Sequence, residues 1–167
     1  MAATATCKVR YGASPGTETT ATNWNLMSTD AYDATGTDYQ TNRISIPTSG
    51  TNYSYERWFA IAFGGTFNLI ENIKFYKSAG TLSDAALDLT AGTTDTYATP
   101  VNTDSTVATT TLDSWDSLGE AIDITPGSGI TSAGNTDFGV VQLEVPDTVT
   151  TPGDIGTITI TVQYEES

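Results

Sequence analysis

From Tyr53 to Phe63 the chain alternates without a break. Tyr53, Tyr55, Arg57, Phe59, Ile61 and Phe63 fall on one face, and Ser54, Glu56, Trp58, Ala60 and Ala62 on the other. A period of two over this length specifies a strand with one buried face and disfavours an amphipathic helix, whose apolar positions recur every three to four residues. The end of the chain repeats the pattern, with Ile158, Ile160, Val162 and Tyr164 set against Thr157, Thr159, Thr161 and Gln163. So do Val141, Leu143 and Val145 against Gln142 and Glu144, and Cys7, Val9 and Tyr11 against Lys8 and Arg10. One-sided alternation is characteristic of antiparallel sheets; parallel strands are usually apolar on both faces.

Turn signals separate these runs. Gly12 to Gly16, Pro47 to Asn52, Gly64-Gly65 and Pro152-Gly153-Asp154 each interrupt a strand pattern. Phe67–Lys77 reads as a strand with Ile73 and Phe75 inward, forming a central hairpin with Tyr53–Phe63. Shorter strands are expected over Asn23–Met27, Arg43–Ile46, Asp95–Val101 and Ser105–Thr111. Leu82–Leu89 reads as a helical turn or a loop, and Trp115–Ile124 as a short helix or a strand. Threonine makes up about one residue in five, and it suits strands as a β-branched residue. The expected fold is all-β: one antiparallel β-sandwich over residues 1–167, jelly-roll or immunoglobulin-like, with eight or nine short strands. A Thr-rich excursion near 90–111 is expected to be exposed.

Charge is unevenly laid out. All six basic residues (Lys8, Arg10, Arg43, Arg57, Lys74, Lys77) precede residue 78, where Glu18, Asp30, Asp33, Asp38, Glu56 and Glu71 balance them. The net charge of −14 therefore comes entirely from the second half, which has no Lys or Arg. Its carboxylates must face water, cations, the first half or a basic partner. Nucleic acid and anionic membranes are disfavoured partners.

Several chemistries are excluded outright. Histidine is absent, which removes imidazole acid–base catalysis, Ser-His-Asp triads and His-ligated zinc. Cys7 is the single cysteine, so an intrachain disulfide cannot form, and a small buried side chain on the first strand is expected. The chain contains no Walker loop, dinucleotide fingerprint or paired-Cys zinc ribbon. The first residues lack a signal-peptide pattern and no apolar run is long enough to span a membrane. Paired carboxylates, as in glycoside hydrolases, would have to come from Glu56, Glu71, Glu120 or Glu144, which read more simply as solvent-facing charges. No cofactor is expected. One structural calcium could use Asp113 with Asp116, or Asp147 with Asp154, although turn-capping explains these residues equally. Trp24, Trp58 and Trp115 could form a sugar-stacking platform, but core packing is the simpler role.

Two stretches carry a family resemblance. Ile46-Pro-Thr-Ser-Gly-Thr-Asn-Tyr-Ser-Tyr-Glu-Arg-Trp58 continues through Gly65-Thr-Phe-Asn-Leu-Ile-Glu-Asn-Ile-Lys-Phe-Tyr76, and Val145-Pro-Asp-Thr-Val-Thr-Thr-Pro-Gly153 leads into Thr157–Glu165. Together they resemble small structural proteins of tailed prokaryotic viruses. The resemblance implies a non-enzymatic virion protein with a β-sandwich fold and carries no catalytic residues. Within a virion, a capsid decoration (cement) protein is the expected role. It would sit on the head surface at capsomer junctions, bound to the major capsid protein and to copies of itself as a homotrimer. Arg43, Arg57, Lys74 and Lys77 are the candidate contacts with the shell or a neighbouring subunit; docking of the acidic half onto a basic shell is the inverse arrangement. The alternative role is a tail, neck or fibre-associated module that binds host glycans through aromatics such as Tyr53, Tyr55 or Trp115.

Overall fold

The computed structural model describes residues 2–33, 37–112 and 120–167. Among these, eleven strands form: β1 (Ala3–Tyr11), β2 (Thr17–Thr20), β3 (Thr51–Tyr53), β4 (Arg57–Gly65), β5 (Ile70–Ala79), β6 (Asp88–Thr94), β7 (Thr110–Thr111), β8 (Ile122–Asp123), β9 (Gly134–Asn135), β10 (Phe138–Pro146) and β11 (Thr159–Glu166). They build an all-β, sandwich-like fold in which every ladder is antiparallel. The larger sheet runs β2-β1-β4-β10-β6-β7, with β3 paired to β10 and β9 to β4; the smaller runs β11-β5-β8. Eight strands face three, a less even division than that of a jelly roll or an immunoglobulin sandwich.

The alternation places the core. Val9, Phe59, Ile61, Phe63, Leu89, Ala91 and Val141 point inward from the large sheet and meet Ile70, Ile73 and Phe75 of β5. The Phe59 and Phe75 rings meet edge to face at 5.0 Å between centroids. A Cβ on Gly139 would occupy the space of the Phe59 ring on the neighbouring strand. Glycine is therefore what lets that ring lie flat on the sheet.

Several expectations need correction. β4 and β5 lie in different sheets, so the chain crosses the sandwich at residues 66–69 and makes no central hairpin. Tyr53–Phe63 is two strands: Ser54 still donates its amide to Leu143 O of β10, but the amides of Tyr55 and Glu56 turn away to the loop carbonyls of Met27 and Val101. Asn23–Met27 and Arg43–Ile46 are irregular, and β2 forms from a sequence, Thr-Glu-Thr-Thr, that carries no apolar alternation. Of the two readings of Leu82–Leu89 the loop holds for residues 82–87, while Asp88 and Leu89 already belong to β6.

The Thr-rich stretch is exposed over most of residues 95–109, yet it is built into the fold. Residues 88–94 form β6 inside the large sheet, and residues 95–109 fold back over the outer face of that sheet. Tyr97 and Ala108 are buried there with Trp58 and Val140, and Trp58 meets the rings of Tyr97 at 5.1 Å and Phe138 at 5.8 Å. A Cβ on Gly92 would collide with the carbonyl of Val107, so close docking of this strap requires glycine in β6. β4 is consequently buried on both faces.

Candidate functional site

Two buried polar side chains organise one end of the large sheet. Arg57, 3% exposed, spends its guanidinium on four carbonyls of a single loop: Asn25 (2.8 Å), Thr29 (2.8 Å), Asp30 (3.1 Å) and Ala31 (3.3 Å). An Asp30 carboxylate oxygen lies 3.5 Å away. Burial pushes the Asp30 carboxyl above its usual range, against the lowering pull of the Gly12 amide and of Arg57. Gln142, fully buried on β10, donates its amide to the carbonyls of Ser54 and Thr103, both at 2.9 Å, and accepts from Ser105 N at 3.0 Å. Beside it, buried Glu56 accepts from Ser105 Oγ at 2.5 Å, Trp58 Nε1 at 3.0 Å and Val101 N at 3.3 Å. Three donors compensate a carboxylate that would be costly to bury alone.

Between the segments held in this way lies an open cleft of about 380 Å³. Its lining comes from four places in the chain: Ser28; Arg43, Ile44 and Ser45; Thr51, Asn52 and Tyr53 of β3; and Asn102 with Thr103. Arg57 holds the loop carrying Ser28, Gln142 holds Thr103, and pairing of β3 with β10 fixes the floor. Arg43 is exposed, and its Nε is anchored on the Gln40 carbonyl at 3.0 Å. Its terminal nitrogens make no hydrogen bond or ion pair among the described residues. Asn52 donates its side-chain amide to Ser45 O at 2.8 Å and to Ser45 Oγ at 3.2 Å, which ties β3 to the Arg43–Ser45 wall. Tyr53 is half-buried; burial, then the charges of Asp104 and Glu144, push its hydroxyl above the ordinary tyrosine range.

The predicted contact residues are scattered. Arg57 is interior and positions a loop, so it is withdrawn from any outer contact. Lys77, 9% exposed, ends the inward row of Ile73 and Phe75 on β5. Lys74 is half-exposed on the outer face of the same strand, and only Arg43 reaches the cleft. Of the three tryptophans, Trp58 is core and Trp24 stacks on Phe59 at 5.9 Å, so neither offers a platform, and Trp115 lies outside the described residues. Tyr55 is half-buried and does not line the cleft.

The candidate acids are equally dispersed in role. Glu56 is consumed by the buried network, Glu71 is on β5, and Glu144 stands opposite Asp88 in the ladder of β10 with β6. Asp154 caps its own turn by accepting from Gly156 N, Asp147 accepts from Gly50 N across two loops, and Asp113 and Asp116 lie outside the described residues. Burial raises the Cys7 thiol, which opposes thiolate chemistry. No protein-family model, curated protein or solved structure matches the chain.

Glu56 and Gln142 escape a reading by alternation because they occupy positions that a half-buried strand turns to water, and Ser105 because it belongs to the irregular strap that covers them. The available signal was Trp58 and Val140, large apolar residues on that same face, which call for a second covering layer.

Proposed function

We propose that this chain is a non-enzymatic structural protein of a virion, a decoration protein that seats on the outside of the head and associates with further copies of itself as a trimer. The observation supporting it most is how the fold distributes charge. Of the fourteen carboxylates after residue 78, every one among the described residues is exposed or half-exposed; only Asp113 and Asp116 lie outside them. The cations are withdrawn instead. Arg57 and Lys77 are buried, and Arg10 is tied to Glu18 at 2.8 Å while lying over the rings of Tyr97 and Phe138. Lys8, Arg43 and Lys74 are left to face outward.

A stable sandwich with an acidic exterior suits the arrangement in which the acidic surface docks on a basic shell, rather than one led by Arg57 and Lys77. Long-range attraction of this kind sets register and association rate more than affinity. The large sheet with its strap and the small sheet together bury both faces of the central strand, giving a rigid body for a mechanical task.

Quantitative mass spectrometry of the purified particle tests the reading. A copy number in fixed ratio to the major shell protein, together with salt-sensitive rebinding to stripped heads, is the expected result. A few copies per particle would assign the chain to the tail or neck instead, and absence from the particle would overturn the proposal. Sedimentation of the free protein tests the trimer.

A further inference from the structure

The cleft between β3 and its flanking loops has a composition unlike the rest of the surface. Among the described residues no Asp or Glu lines it, and Arg43 is its one charged side chain. The lining is otherwise hydroxyls, carboxamides, Ile44 and the Tyr53 ring. Its volume falls in the ~300–1,000 Å³ range of small-ligand sites and leaves room for a short saccharide.

We infer that this cleft binds a neutral saccharide. A sugar ring presents an apolar C–H face and a rim of hydroxyls that donate and accept. Tyr53 offers a half-buried aromatic surface for the first. The terminal nitrogens of Arg43, which make no bond among the described residues, and the polar side chains of Asn52, Asn102 and Thr103 offer donors and acceptors for the second. Both walls are held from inside by Arg57 and Gln142, so the polar groups are pre-ordered and little entropy is lost on binding.

Charge selects neutral over acidic sugars. Asp104 and Glu144 act on Tyr53 from just beyond the lining, and the whole chain carries −14. A carboxylated or sulfated glycan would be repelled before reaching Arg43. The inference stands on the cleft alone and holds whether the protein sits on a head or a tail.

The test is titration of the intact chain with maltotriose, cellotriose, mannotriose and chitotriose, with trigalacturonate as the acidic comparison. Binding is followed through the side-chain amide signals of Asn52 and Asn102. At least one neutral trisaccharide should shift both signals, with little dependence on salt. Tyr53→Ala should weaken binding by about tenfold or more, and Tyr53→Phe should preserve it. Arg43→Ala, on an exposed loop, gives a second reading should Tyr53→Ala not fold, and it too should weaken binding. No shift with any neutral sugar, binding of trigalacturonate alone, or full affinity in both alanine variants would overturn the inference.

Discussion

The side-chain amide of Gln142 donates to the carbonyl of Thr103 at 2.9 Å, so a fully buried residue of β10 positions an exposed wall of the cleft. The same carboxamide reaches Ser54 O and accepts from Ser105 N, joining β10, the end of β3 and the strap across the outer face of the large sheet. Architecture and candidate site are therefore coupled through one side chain.

Gln142→Leu keeps the volume but leaves those two carbonyls and one amide without partners. An unsatisfied buried polar group costs roughly 1–3 kcal/mol, so a loss of about 3 kcal/mol is expected in urea unfolding. Hydrogen exchange at Ser105 N should accelerate in the variant. Unchanged exchange would mean that the strap is held by its aromatic contacts alone.

Gly92→Ala tests the docking of the strap directly. The new methyl would meet the Val107 carbonyl, which is backbone and cannot rotate away. Overpacking of this kind typically costs ~1–3 kcal/mol. The Trp58–Tyr97 contact should open with it, seen as a red shift of tryptophan emission; an unshifted spectrum and midpoint would contradict the packing.

Glu144 carries a pH dependence of definite sign. Burial, then Asp88 and Asp104, raises its carboxyl above the usual glutamate range, so the folded state holds the proton more tightly than the unfolded chain. Stability from this group is greatest below the unfolded value and falls as pH rises through the raised folded value. Glu144→Gln should therefore stabilise the protein at pH ~7 by ~0.2–1 kcal/mol, the scale of a cross-strand pair, and give no gain at pH ~4. Asp84, held low by the amides of Ala86 and Thr150, works in the opposite sense but is common to both proteins. Equal denaturation midpoints of variant and parent at neutral pH would remove the like-charge account.

Ile73 and Ile160 should respond unequally to alanine. Ile73 is fully buried and should lose ~2–5 kcal/mol. Ile160 is half-buried on β11, an edge strand, and should lose about 1 kcal/mol for the smaller area removed from water. Similar losses at both positions would indicate that another chain covers β11.

This last pair shows where patterning stops being informative. Ile158–Tyr164 has the cleanest alternation in the chain, and alternation correctly marks which side chains face in. It carries no measure of how deeply they are covered, because that depends on strand order, and β11 lies at the edge of the three-stranded sheet. Phe59, Ile61 and Phe63 share the same pattern and are deeply buried, since β4 runs between β1 and β10. The candidate site was less legible still. Tyr53 and Arg43 each drew attention, one as an aromatic and one as a cation, but nothing local brings them together with Asn102.

By itself the sequence determined an antiparallel all-β chain, the inward faces of its long strands, a carboxylate-rich second half without a counter-charge, and the absence of histidine chemistry. These follow from local periodicity and composition, which act over a few residues or over the whole chain. Tertiary structure decided that β4 and β5 part into different sheets, that the Thr-rich strap packs Tyr97 and Ala108 onto the large sheet while most of it stays exposed, and that Arg57 and Glu56 lie inside. It also brought Ser28, residues 43–53 and Asn102 with Thr103 around one cleft. Those outcomes depend on contacts between residues tens of positions apart, where the burial of a polar group is permitted only by partners that the local pattern cannot supply.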